Sequence, residues 1–247
     1  MIFINPKKKY IIELAPTLTG HWYKVLSVSS KGKEKNLGVF PSSTTILNAY
    51  PQSVQLTKWI ADQGWHESQR IKSEAGERGT RIHSACDRLE TGEELLEAEY
   101  SLEEWWKICT FVRWYQEYKP ELIVKEFPVF SRKGGYAGRL DRIYKIAGEN
   151  VILDFKSSSG IHENFPLQFA SYAKAVEENT DLKIDQTAAL LLGAQNKNGY
   201  RYVLYPEWCD HYKVFEHVKA TWRYDFFDSK KNPKEPPVLV LPDKLKL

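Results

Sequence analysis

Apolar residues recur at Ile82, Ala85, Cys86 and Leu89 within the stretch Ile71–Glu90, the spacing of one helix face. Leu102–Tyr118 repeats the pattern with Trp105, Ile108, Val112 and Tyr115, and Pro120 stops it. After Pro120 the period changes. Ile123–Ser131, Gly138–Ile146 and Val151–Ser157 read as strands, with turns at Lys133-Gly134-Gly135 and at Ala147–Asn150. A helix is expected over His162–Glu178. A second hairpin then joins Ala188–Gln195 to Tyr200–Tyr205 across Asn196–Gly199. Asp210–Phe226 closes the pattern, with Phe215, Val218 and Trp222 on one face. Upstream, strands are expected near Tyr10–Leu14 and Tyr23–Val28 with a turn at Ser29–Gly32. A helix is expected to open at Phe40–Leu47, capped by its Ser/Thr cluster, and another at Leu56–Asp62.

This order predicts an α/β fold: a mixed central sheet flanked by helices, with a helical N-terminal cap. At 247 residues the chain has room for one domain with a full core. Its expected parts are N-terminal strands (1–38), the helical cap (40–120), an α/β core (121–227) and an extended tail (228–247) rich in Pro and Lys.

Composition narrows the class. No apolar run approaches the ~20 residues of a membrane span, and the first residues lack a secretory h-region. The three cysteines are widely spaced, which suggests reduced thiols in the cytoplasm rather than disulfides or a zinc site. Net charge is +3, yet residues 1–38 carry +5, residues 229–247 carry +3 and the remainder −5. An acidic middle suits a cation, and basic ends suit a polyanion.

The chemistry concentrates in one hairpin. Val151-Ile152-Leu153 is an apolar run of the kind that fills a central strand, and Asp154 and Lys156 follow it abruptly. They are two apart and share a face. A four-residue turn at Ala147–Asn150 would place Asp141 opposite Lys156 and diagonal to Asp154. Two carboxylates and an ammonium then converge on one patch, which can hold a divalent metal and orient a water. Trp59, Trp65, Trp105, Trp106 and Trp114 are expected to be mostly core, with Trp65 and Tyr136 near loops where they can stack on bases.

Gly138-x-x-Asp141, Asp154-x-Lys156 and Gln168-x-x-x-Tyr172, in that order, resemble the RecB-like branch of the PD-(D/E)XK nuclease superfamily. Arg78-Gly79-Thr80-x-x-His83 resembles the Gly-x-x-x-His helix of that branch. Phe40–Leu47 resembles the opening of phage exonucleases and of mitochondrial genome maintenance exonucleases. The likeness covers roughly residues 40–205.

The resemblance implies a restriction-endonuclease-like core and a Mg²⁺- or Mn²⁺-dependent deoxyribonuclease. It implies catalytic roles for Asp141, Asp154 and Lys156, and a metal shell of His83, Asp141, Asp154 and the Phe155 carbonyl. Glu126 takes an outer-shell or second-metal role. Gln168 and Tyr172 line the substrate groove, with Arg139 and Ser157 as further substrate contacts. Iron–sulfur members of the branch need four cysteines, so no cluster is expected. The implied substrate is DNA, single-stranded or at ends. A single-strand annealing or recombination protein is the implied partner, and the host cytoplasm the site of action if the chain is phage-encoded. A structure-specific endonuclease on the same core, or a DNA-binding recombination partner with a vestigial site, are the competing expectations.

Overall fold

A computed structural model describes residues 9–15, 17, 20–158 and 160–228, without the side chains of 227 and 228. The expected tail over 228–247 lies almost wholly outside the described residues. Three strands come first, β1 (Lys9–Ala15), β2 (Trp22–Val28) and β3 (Glu34–Pro41), paired as an antiparallel meander. Then follow α1 (Ser43–Leu47), α2 (Val54–Gln63), α3 (Trp65–Glu90) and α4 (Leu102–Tyr118). The second half holds β4 (Glu121–Ser131), β5 (Tyr136–Ile146), β6 (Glu149–Lys156), α5 (Phe165–Asn179), β7 (Gln186–Leu192), β8 (Tyr200–Tyr205) and α6 (Trp208–Arg223).

Strands β4 to β8 form one five-stranded sheet in sequence order. Neighbours are antiparallel except β6 and β7, which run parallel and are joined through α5. The sheet is therefore mixed and flanked by helices. One face packs Ile143 and Ile152 against Leu167, Ala170 and Ala173 of α5 and Phe215, Val218 and Trp222 of α6. The other packs Tyr144, Leu153, Phe155 and Leu190 against Ile82 and Cys86 of α3 and Phe111 and Trp114 of α4. Leu153 and Phe155 on one face and Ile152 on the other make β6 buried on both sides, as its apolar run requires.

Several boundaries differ from the sequence reading. Phe40 and Pro41 end strand β3 instead of opening a helix, and the expected pair of N-terminal strands is a trio. Ser42 caps α1, its Oγ accepting from Thr45 N at 2.9 Å. The neighbouring hydroxyls serve packing: Thr45 Oγ1 accepts from His21 N, and Ser171 Oγ donates to Ser43 Oγ. Helix α3 begins at Trp65, six residues before the expected stretch at Ile71. Helix α5 begins at Phe165, not His162, and β7 ends at Leu192. Of the five tryptophans expected mostly in the core, only Trp114 is buried; Trp65 and Trp106 are exposed. Tyr136, expected near bases, is buried against Phe215, its hydroxyl donating to the Ser171 carbonyl.

The central hairpin turns more tightly than expected. Ala147 (φ 51°) and Gly148 (φ 91°) alone make the turn, both left-handed, as a two-residue hairpin of matching twist demands. Glu149 already pairs with Ile146, and Arg142 pairs with Leu153. The register is thus two residues from the one a four-residue turn gives. Asp141 does not face Lys156; it stands at the position opposite Asp154. A two-residue slip preserves which face each side chain takes, so the convergence survives the correction.

Gly138 is explained by its neighbour across the layer. A Cβ built there would stand 2.6 Å from Cε1 of Tyr172, so the tyrosine ring lies where a side chain would be. Gly138→Ala is expected to destabilise the protein by about 1–3 kcal/mol, the usual cost of overpacking. Urea unfolding measures this, and Tyr172→Leu in the same chain is expected to recover part of the loss.

Candidate metal centre

Strand β5 changes its facing where the acids lie. Leu140 and Ile143, three apart, both reach the α5 side of the sheet, and on β4 so do Val124 and Phe127. Regular alternation forbids this, so both strands kink between those positions. Lys125 pairs with Arg142 and Phe127 with Leu140, which sets Glu126 and Asp141 facing each other at the kink. Glu126 carries φ 48°, a left-handed conformation that a non-glycine residue adopts in mid-strand only when its surroundings hold it there.

Past Arg142 the ladder to β6 is replaced by side-chain contacts. Asp141 Oδ2 accepts from Phe155 N at 3.1 Å. His83 reaches in from α3, with Nδ1 3.4 Å from Asp141 Oδ2 and Nε2 3.1 Å from the Phe155 carbonyl oxygen. Gly79, one turn before His83, lets α3 approach: a Cβ there would meet Ser157 Oγ at 3.1 Å. Ligand atoms of His83, Glu126 and Asp141 all lie within 4.8 Å of one another.

Asp154 is buried, and Lys156 Nζ stands 2.6 Å from its Oδ2. The Lys156 ammonium lies 4.5 Å from the ring centre of Phe165 and 5.5 Å from that of Phe169, so α5 cradles it between a carboxylate and two aromatic faces.

The electrostatics follow from burial. Desolvation, then the neighbouring Asp154 charge, push the Asp141 carboxyl well above the usual range, with Lys156 opposing. Desolvation also pushes the His83 imidazole down, against the pull of Asp154. A neutral imidazole has a ring nitrogen free to ligate.

The donors fit a divalent cation. An imidazole, two carboxylates and a carbonyl gather there, with ligand atoms of His83, Glu126 and Asp141 within 4.8 Å of one another and the Phe155 oxygen hydrogen-bonded to His83 Nε2 at 3.1 Å. Asp154 Oδ2 is buried and paired with the Lys156 ammonium at 2.6 Å, and an ionised carboxylate has further lone pairs to offer a second cation. One imidazole among oxygens suits Mn²⁺ at least as well as Mg²⁺.

The remaining predicted residues are spread around this centre. Gln168 Nε2 donates to the Tyr172 hydroxyl at 3.0 Å, and Tyr172 is buried over Gly138, so this pair abuts the site from α5. Arg139 is half exposed, 3.7 Å from Glu126. Ser157 accepts through its carbonyl from Lys107 Nζ at 3.0 Å. The sequence reading did not single out Arg142, Phe165, Phe169 or Lys107. Arg142 sits beside Asp141 in an alternating strand, where nothing marks it as buried.

No family model matches the chain, and no curated protein is significantly similar to it. Among the described residues no helix is long and apolar enough to cross a membrane.

Asp141 gives a stability test. Its folded pKa is raised, so without metal its contribution is full below the unfolded value and is lost as pH rises through the folded one. Asp141→Asn keeps an acceptor for Phe155 N and removes the charge. The metal-free variant is therefore expected to melt higher than the parent at neutral pH, by about 2–4 °C per kcal/mol gained. Added Mn²⁺ should raise the melting temperature of the parent and much less that of the variant. Scanning calorimetry with and without EDTA checks both.

Proposed function

We propose that this chain is a metal-dependent deoxyribonuclease with a restriction-endonuclease-like core, cleaving phosphodiester bonds from DNA ends. The observation that carries the proposal is the meeting of His83, Asp141 and the Phe155 carbonyl at the end of a hairpin whose next side chains are Asp154 and Lys156. Such a set answers the difficulty of phosphodiester hydrolysis, where anionic oxygens repel the nucleophile. A divalent ion, when bound, lowers the pKa of a ligated water and offsets charge at phosphorus.

Protein groups do the rest. His83, Asp141, Asp154 and the Phe155 carbonyl would hold the ion. Lys156, held by Asp154 and the two phenylalanines, orients water and opposes the negative charge that develops as the water oxygen bonds phosphorus and the ester oxygen leaves. The Gln168–Tyr172 pair fixes α5 along the side of the site.

The basic N-terminal end supports a nucleic-acid substrate. Lys9, Lys33, Lys35 and Arg132 line an open groove between the meander and the β4–β5 turn, with Tyr10 and Glu34. Among the described residues none of these four cations has an ion-pair partner. From Asp141 to that turn is about five residues of strand, roughly 17 Å at ~3.3 Å each. A DNA backbone leaving the site can lie in the groove.

Two results are expected. Asp154→Ala or Lys156→Ala should lower Mn²⁺-dependent cleavage of end-labelled linear DNA by roughly 10²-fold or more, with the fold intact. Undiminished cleavage by either variant would overturn the proposal, and cutting of circular single strands would replace the exonuclease by an endonuclease. Separately, Lys33→Ala/Lys35→Ala/Arg132→Ala should weaken binding of linear DNA and flatten the plot of log affinity against log salt by about 2–3, at ~0.7–0.9 per lost phosphate contact. Fluorescence anisotropy over a salt series measures the slope.

A further inference from the structure

Arg142 has more partners than its place beside Asp141 requires. Its side chain is 0% exposed. Removing a guanidinium from water costs several kcal/mol unless the site compensates. Nε donates to Glu90 Oε2 at 2.9 Å, one terminal nitrogen to Asp87 Oδ1, and the other to the Asp141 carbonyl at 2.9 Å. That last nitrogen is also 3.8 Å from Glu126 Oε1. The guanidinium carbon stands 5.0 Å from the centre of the Phe155 ring. Tyr144 donates its hydroxyl to the second oxygen of Glu90.

Each partner sits on an element that supplies the metal centre. Asp87 and Glu90 follow His83 on α3 by four and seven residues, so the three share a helix face. Asp141 and Phe155 are themselves in the donor set, and Phe155 also packs its ring edge-on to His83 at 5.7 Å. A lone ammonium cannot span two acids and a carbonyl in one plane; the guanidinium fork does. Stability alone does not account for the residue, because well-packed apolar side chains often replace buried ion pairs without loss. Its apolar neighbourhood, with Tyr144 and Phe155, would accept one.

We propose that Arg142 is the positioning residue of the metal centre. It ties the C-terminal half of α3 to the open end of β5 and β6, and so sets how far His83 stands from Asp141 and the Phe155 carbonyl. This rests on the metal-site reading and adds a cause for its geometry.

Mn²⁺ is the probe, because calorimetry gives its affinity and pulsed electron paramagnetic resonance detects nitrogen bound to it. The parent is expected to bind Mn²⁺ with nitrogen coupling that His83→Ala removes. Arg142→Lys is expected to bind roughly 10–100-fold more weakly, as for other changes behind metal ligands, and to lose or reduce the nitrogen coupling. Arg142→Met with Asp87→Asn and Glu90→Gln removes the charges together, leaving no unpaired acid, and is the variant to use if Arg142→Lys does not fold. It is expected to melt cooperatively and show the same loss of nitrogen coupling. Unchanged affinity and coupling in a folded variant would overturn the role of Arg142 and leave the metal centre standing. Weaker binding with full nitrogen coupling would overturn it too, since Arg142 would then act through charge and not through His83. A parent that binds Mn²⁺ without nitrogen coupling, or not at all, would overturn the metal reading and this inference with it.

Discussion

Asp141 and Asp154 face each other at the end of an apolar strand, and much of the surrounding structure answers that repulsion. Neither is freely solvated, and a second carboxylate nearby makes ionisation of the first harder. The fold supplies compensation from several directions. Lys156 stands against Asp154, the Phe155 amide donates to Asp141, and His83 closes on both Asp141 and the Phe155 carbonyl. Asp141 stays short of full compensation, its carboxyl held well above the usual range by burial and then by the Asp154 charge. A site that stays under-compensated in a packed interior is poised for a cation. Structural pairs, by contrast, are closed, as Arg88 with Glu93 and Glu99 is on the surface.

Holding acids in that position costs regular β structure. The kink at Glu126 and Asp141 breaks alternation in two adjacent strands and places a glutamate at positive φ. Straight strands would send Asp141 wholly to one side of the sheet, away from either α3 or α5. At the kink it lies within reach of His83 on α3 while remaining beside β6, whose Asp154 and Lys156 look toward α5. The centre is thus built where the sheet stops being regular, between two helical layers.

This is why some of the site was legible in the sequence and some was not. Asp154 and Lys156 announce themselves because charge appears abruptly after Val151-Ile152-Leu153, and the helix stripe around Ile82 fixes which way His83 points. Most element types and the mixed sheet follow from periodicity; β3 does not, because the Ser/Thr cluster after Phe40-Pro41 draws the helix start too early. The register did not follow, because Ala147 takes a positive φ that its side chain disfavours, so Ala147–Asn150 reads as a four-residue turn. The start of α3 was hidden since Trp65–Arg70 holds one apolar residue and shows no stripe. Tyr136 looked like a loop residue beside two glycines, yet the turn folds it inward onto Phe215. Arg142 was invisible for a deeper reason: a cation in an alternating strand reads as solvent-facing, yet it shares its face with Tyr144 and Ile146, which α3 and α4 cover.

The two glycines of the motif pattern carry their meaning as missing atoms. At Gly138 the absent Cβ is filled by the Tyr172 ring, and at Gly79 by the approach of Ser157. One sets the distance of α5 from the acids and the other the distance of α3. The centre needs both, because Lys156 is steadied by Phe165 and Phe169 on α5 while His83 arrives on α3. A larger residue at either glycine would move a whole helix, and a donor spacing near 3 Å does not tolerate that movement. The glycines and Arg142 therefore act in opposite senses on one quantity: the glycines permit the layers to close on the hairpin end, and the buried guanidinium holds α3 closed at the distance the donors require.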